Sequence, residues 1–344
     1  MPDNSFTPTH IRQVAIIGSG MAGLAAGHLL QDAGVAVTLF EKSRGPGGRL
    51  ASKRLSDGSV DIGAQFFTVR NPAFSAFLDQ KAGEDSYQQW PARLRYQDSE
   101  GKWESFREST RYVGVPRMTA ISRRLSESLR IQTQVRIERL VAMDSGQWQL
   151  LDTGGETSGP FDAVIITAPP AQTREIIKNS GLKALVNMFS DDEKQMHACW
   201  TLAARYEPAL ELDYDGLQPR SDVLQWAGNN SSKPGRKEQG EWWVLHGRPD
   251  WSDEHQDDAP EKITEALLEA FEAATGIHRK PEQTLSHRWL YARSSASGGP
   301  GHVWFGENRI AVLGDWLAGG RVEGAFDSAE SLINHWQCED MLER

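Results

Sequence analysis

An apolar run, Val14-Ala15-Ile16-Ile17, feeds directly into Gly18-Ser19-Gly20-Met21-Ala22-Gly23, and a helix-like segment follows from Leu24 to Ala33. A second apolar run, Val35 to Phe40, ends in Glu41, 21 residues after Gly20. Strand, glycine turn, helix, strand and acid in this order form the βαβ layout of a dinucleotide site. Gly18 allows the tight turn, Gly20 lets the backbone approach a pyrophosphate, and Gly23 lets the helix pack closely on the strand. Ala22 lies in the first helical turn, whose free N–H groups and positive dipole end face the phosphates. A carboxylate at Glu41 can accept from both ribose hydroxyls.

The residues just downstream select among dinucleotides. Glu41 is followed by Lys42-Ser43-Arg44-Gly45-Pro46-Gly47-Gly48-Arg49, and then by Asp61-Ile62-Gly63-Ala64-Gln65-Phe66. A glycine-packed loop beside two arginines, Arg44 and Arg49, suits a second approach of backbone to phosphate, with Arg49 supplying charge-assisted bonds and Lys42 at its start. An NAD site usually needs only the first turn, whereas the longer FAD recruits more of the chain, Gln65 and Phe66 included. The C-terminal region supplies the rest. Arg309 to Leu313 reads as a buried strand, followed by Gly314, Asp315 and Trp316, then Gly319-Gly320-Arg321-Val322-Glu323-Gly324. Asp315 can hold a ribityl hydroxyl, and the helix opening at Val322 can point N–H groups at the flavin C2 carbonyl, where negative charge gathers on reduction. FAD is the expected cofactor. Neither Cys199 nor Cys338 lies in a recognised attachment motif, so it is expected to be bound noncovalently.

Three blocks together resemble the flavin-containing amine oxidase superfamily over nearly the whole length. Cys199-Trp200-Thr201-Leu202, His287-Arg288-Trp289-Leu290-Tyr291-Ala292 and Gly314-Asp315-Trp316 resemble its bacterial renalase branch more narrowly. The implied fold is α/β: a Rossmann-type FAD-binding domain like those of amine oxidases and hydroxybenzoate hydroxylase, with a second domain of mixed β-sheet and helices for the substrate. The expected FAD-binding domain is discontinuous, residues 1–70, 116–170 and 301–344, and the substrate domain takes 71–115 and 171–300. In this superfamily a backbone group near a middle strand contacts adenine, which points to Ile137. Asn229 to Gly240, polar and glycine-containing, is expected to be a mobile surface loop. Ala259 to Thr275, with Ile263, Leu267, Leu268 and Phe271 at helical spacing, is expected to be a packing helix.

Composition narrows the partners. A net charge of −10 on 344 residues argues against nucleic acid or an anionic membrane surface. No apolar run approaches a membrane span, residues 1–10 show no secretory core, and two cysteines cannot build a disulfide framework. A cytoplasmic setting is expected. There is no metal-ligand spacing, and the oligomeric state is open.

The resemblance implies a dinucleotide substrate together with oxygen. The substrates are the 2- and 6-dihydro isomers of NAD(P)H, oxidised to NAD(P)+ by hydride transfer to flavin N5 with hydrogen peroxide as the second product. Losing hydride restores an aromatic pyridinium, so no side-chain base is needed. The site must only lay the ring flat against the flavin, and no catalytic residue is expected apart from flavin N5. Gln65, Thr68, Tyr96, Asn187, His246, Trp289, Tyr291 and Arg321 are the substrate candidates. Each has an ordinary alternative: core packing for Tyr96, Trp289 and Tyr291, a satisfied buried amide for Asn187, a structural hydrogen bond for His246, and a neighbouring acid for Arg321. An anionic substrate on an anionic protein needs local compensation, for which Arg288, Arg293 and Arg321 are candidates, unless its phosphates stay in solvent. Many amine oxidases of the superfamily place a lysine, water-linked to N5, in the strand matching 197–202. This chain has none there, and the nearest is Lys194. Oxidation of a free amine, a flavin reaction without net oxidation, and a redox-silent FAD protein remain the alternatives.

Overall fold

The computed structural model describes residues 10–296 and 298–342. The chain divides into two compact units. One takes residues up to 48, 122–196 and from 294 onward, and the other takes 49–121 and 197–293. The expected boundaries fall elsewhere. Residues 49–70 and 116–121 cluster with the second unit, because the 61–65 turn is bonded into it. Residues 171–196 and 294–300 cluster with the first, where helix Pro170–Asn179 packs against strand Ile137–Ala142.

The first unit is built on a six-stranded sheet. Its spatial order is His302–Phe305, Ile310–Leu313, Ala163–Ile166, Gln13–Ile17, Ala36–Glu41, Ile131–Thr133. The inner pairings are parallel, and only His302–Phe305 runs antiparallel, at one edge. Val14 to Ile17, Ala163 to Ile166 and Ile310 to Leu313 are buried throughout. That is the pattern of strands covered on both faces. Helices Met21–Asp32 and Val322–Cys338 pack against each other. A separate antiparallel sheet holds Ile137–Ala142, Trp148–Asp152 and Thr157–Phe161.

The second unit is organised on a seven-stranded mixed sheet. Its order is Gln283–Ser294, Met196–Tyr206, Glu241–Gly247, Leu224–Asn229, Gly216–Gln218, Leu94–Gln97, Trp103–Ser105. Alternation along Glu241–Gly247 assigns its two faces. Trp243 and Leu245 join a core with Trp200, Tyr206 and the helix Pro260–Thr275, which buries Ile263, Leu267 and Phe271 and ends on a left-handed Gly276. Trp242 and Val244 face the other way, onto Val60, Ile62 and Trp289.

Above that second face lies a buried ion cluster. Asp61 accepts from Lys233 Nζ at 3.2 Å, from Arg236 Nη2, from Ser52 Oγ at 2.7 Å and from the Met118 amide at 2.9 Å. The side chains of Asp61, Lys233 and Arg236 are all 0–1% exposed. The 229–240 segment is therefore not the mobile surface loop expected from its composition. Asn229, Asn230 and Lys233 are buried, and Asn229 caps the turn Asn230–Ser232 by accepting from the Ser231 and Ser232 amides. Burial alone would raise the Asp61 pKa, but the cations of Lys233 and Arg236 overcome it and bring it down to about 2. Its contribution to stability is thus complete above the ordinary carboxylate range and is lost as pH falls through about 2. Asp61→Asn leaves two buried cations facing each other, and is expected to cost about 3–5 kcal/mol. Lys233→Met in that background is expected to restore part of the loss. Urea melts of the three proteins check this, and an Asp61→Asn loss below about 1 kcal/mol would contradict it.

Candidate functional site

The dinucleotide turn sits at the carboxyl ends of the parallel strands, where open α/β sheets bind ligands. Gly18, at φ +106°, donates to Phe40 O at 2.8 Å. A Cβ at Gly23 would stand 2.1 Å from Gly18 O, so helix and strand approach as closely as the motif requires. Gly20 differs from both, since a Cβ there would meet nothing within 4 Å. It leads a helix that no side chain caps and that has no acid in its first turn. Free amides, a positive dipole end and open space over Gly20 make an anion cradle. The second glycine loop closes on this turn: Gly47 donates to Ser19 O at 2.9 Å, and Gly48, at φ +51°, sits against Gly20.

Glu41 is buried at the end of its strand. Its Oε2 accepts from the Ser19 amide at 3.0 Å and Ser19 Oγ at 2.8 Å, and its Oε1 accepts from the Ser43 amide at 2.8 Å. A carboxylate has about four acceptor positions, so one remains for a ribose hydroxyl. Lys42 is exposed, with Nζ donating to Gln172 at 3.0 Å. Ile137 is buried and paired with Asp152 in the three-stranded sheet. The backbone that adjoins Glu41 is Gln134–Val135, with Val135 donating to Glu41 O at 3.0 Å. At the other end of the unit, Gly314 donates to Ser328 Oγ at 3.0 Å and Asp315 is buried. Val322 opens a helix without a side-chain cap, its N-cap being the exposed Arg321. Asn187, also in this unit, is exposed on the turn Val186–Phe189 rather than buried in an apolar run. These residues fit the adenosine, pyrophosphate and ribityl portions of FAD.

The other candidates lie in the second unit. Arg49 Nη1 donates to Ala292 O at 3.2 Å, and Gly63 passes so close that its Cβ would stand 2.0 Å from Arg49 O. Three candidates gather on the 61–65 turn. Gln65 donates to Asp61 O at 2.7 Å and Gly63 O at 3.0 Å, and accepts from Lys233 at 3.1 Å. Trp289 Nε1 donates to Ile62 O at 3.0 Å. His246 lies against the same turn. Burial and the Lys233 charge push its pKa down to about 4, so its ring is neutral near pH 7, and its Nε2 is buried without a hydrogen-bond partner. Tyr291, half-buried, follows Trp289 at the same strand parity, and Thr68 is also half-buried. Tyr96 and Phe66 belong to a neighbouring ring cluster with Phe106 and Trp226.

Sequence reasoning missed Asp61, Lys233 and Arg236 as a group, because Asp61 and Lys233 lie 172 residues apart. It also missed Arg111 among the polar residues 107–111. Arg288, offered there as an anion partner, is instead paired with Asp257 at 3.2 Å. Burial pushes the Cys199 thiol up to about 12, which leaves it protonated and unreactive.

Gly20→Ala follows directly from the cradle. Nothing in the protein opposes the added methyl, so the apoprotein melting temperature should stay put while FAD affinity falls at least about tenfold through loss of the close approach. Flavin titration of the apoprotein checks this, and unchanged affinity would contradict it.

Among the described residues, no helix is long and apolar enough to cross a membrane. Residues 16–80 match the model of the NAD(P)-binding Rossmann-like domain, and residues 98–331 match that of flavin containing amine oxidoreductase. Hydroxyneurosporene desaturase of Rubrivivax gelatinosus is 36% identical over 63 residues, covering 18% of this chain and 12% of that one. Protoporphyrinogen oxidase 2 of Arabidopsis thaliana is 36% identical over 80 residues, covering 23% and 16%. The chain thus matches under a fifth of the length of either relative. The fold is shared more widely. Putrescine oxidase bound to putrescine superposes with a TM-score of 0.71 at 13% identity, over 95% of this chain and 99% of that one. A fatty acid isomerase from P. acnes gives 0.70 at 12% identity, over the same shares. With that oxidoreductase model spanning more than half of its length, the chain belongs to the flavin-containing amine oxidoreductase family and uses FAD.

Proposed function

We propose that this protein oxidises dihydronicotinamide dinucleotides that carry hydride at ring position 2 or 6, releasing NAD(P)+, with oxygen reduced to hydrogen peroxide. The observation that carries the reading is the state of the titratable groups at the 61–65 turn. The imidazole of His246 is held neutral, with a pKa pushed down to about 4. The amine of Lys233 is bonded to Asp61, Gln65 and Asn230. With a pKa of about 4 the His246 ring is a weak base, and Lys233, lowered by burial to about 8, is still mainly the ammonium at pH 7, with its donors held by those three oxygens. A substrate whose ring becomes aromatic on losing hydride needs no base.

FAD supplies the hydride acceptor when bound. The chain's own residues would position the substrate. Trp289 is fixed by its bond to Ile62 O, and Gln65 has its amide committed on both sides, so the 61–65 turn is a rigid support. The strand Met196–Tyr206 has Cys199 and Thr201 in the stretch where many amine oxidases of the superfamily carry lysine. This departure favours a substrate that is not a free amine.

Anaerobic mixing of the FAD-loaded protein with 2- and 6-dihydroNAD, beside tyramine and putrescine, tests the reading through flavin absorbance. Bleaching by the dihydronicotinamides alone, reversed by air with peroxide release, is the expected outcome. Bleaching by an amine alone would make the protein an amine oxidase and overturn the proposal.

A further inference from the structure

On the sheet face opposite helix Pro260–Thr275, the second unit carries a cluster of half-buried aromatic rings. Its packing depends on two glycines. Gly216 and Gly228 are cross-strand partners, and the Trp226 ring lies over both. A Cβ at either position would stand 2.9 Å from it. Around Trp226, Phe66 stands with its centroid at 5.7 Å and Phe106 at 6.2 Å, and Tyr96 packs on Phe106 at 5.3 Å. The Trp226 Nε1–H is buried and has no partner, although a buried indole N–H normally finds one.

Arg111 lies against this cluster. Its guanidinium lies 5.6 Å from the Phe66 centroid and 5.7 Å from that of Phe106. Its hydrogen bonds go to two carbonyls, Ser109 O at 3.2 Å and Arg107 O at 3.3 Å. A guanidinium has five N–H donors, and among the described residues no carboxylate pairs with this one. Half-burial lowers its pKa, the mark of a cation partly stripped of water without an anion beside it. The cluster therefore offers ring surfaces and a positive charge with no carboxylate beside it among the described residues. Its complement is a molecule with a flat ring and negatively charged acceptor oxygens.

We propose that Arg111 anchors the phosphate oxygens of the substrate and sets its specificity for phosphate-bearing dihydronicotinamides. The proposal rests on the dihydronicotinamide reading above. It also supplies the local compensation that an anionic substrate needs on a protein of net charge −10.

Two measurements test it. The first compares kcat/KM for 6-dihydronicotinamide mononucleotide with that for the uncharged riboside. The wild type should prefer the mononucleotide, and Arg111→Met should cut that preference at least about tenfold. Arg111→Lys should recover part of it, because the charge remains while the planar fork is lost. An equal preference in wild type and Arg111→Met would overturn the proposal. The second needs no turnover: inorganic pyrophosphate should change Trp226 fluorescence saturably in the wild type and not in Arg111→Met, with Trp226→Phe identifying the signal. If no dihydronicotinamide is oxidised but pyrophosphate still binds through Arg111, the reaction assignment fails and the anion site stands. If pyrophosphate binds both proteins alike, the anion site fails whatever the reaction.

Discussion

One buried carboxylate ties together one face of the second unit. Asp61 binds two cations from a segment more than 160 residues away, the Met118 amide and the Ser52 hydroxyl. Its own backbone carbonyl takes one donor of Gln65. Strand, turn and distant loop are thus joined at a single side chain that is 1% exposed. The group carries one negative and two positive charges on side chains that are 0–1% exposed. Removing the carboxylate costs more than its hydrogen bonds, because the cations remain. The same network fixes Gln65 and, through the Lys233 charge, helps hold His246 neutral. Packing in this region therefore determines which proton chemistry is open to the site.

The first unit depends on a different constraint, the close approach of backbone to backbone. Gly23 against Gly18 O lets the helix come down on the strand, and Gly48 against Gly20 brings the second loop over the first turn. The amides of an uncapped helix start and the carboxylate of Glu41 then stand at one end of the sheet. Apart from Glu41, these elements bind through main chain. Such a site is written in the sequence as glycine spacing.

This difference explains what could be read in advance. The glycine turn, Glu41, the strands around Ile165 and Val312 and the helix at Val322 have local signals: an apolar run, a spacing, a helix start. The packing helix was equally legible, because Ile263, Leu267 and Phe271 recur at helical period and are all buried. The ion cluster was not, since a buried Lys233 in a polar, glycine-containing stretch has the same composition as a solvated loop. Its burial is decided by Asp61, 172 positions earlier. Asn187 misled in the opposite sense: its apolar neighbours suggested burial, but the short turn Val186–Phe189 leaves it exposed and buries Phe189. Ile137 was placed beside adenine on the superfamily resemblance alone, which puts a backbone contact near a middle strand. The chain leaves the parallel sheet after Thr133 and starts a new one at Ile137. Arg111 carried no signal at all, because its meaning comes from the two rings that flank it.

The central claim is that the substrate is oxidised without a side-chain base. The most direct measurement is the single-turnover rate of flavin reduction by saturating 6-dihydroNAD as a function of pH. His246 titrates at about 4 and Lys233, its pKa lowered chiefly by burial, at about 8. Between those values neither of the two changes charge. The account predicts a flat rate from about pH 5 to about pH 7. A rate rising about tenfold per pH unit across that window would reveal an obligatory deprotonation and contradict it.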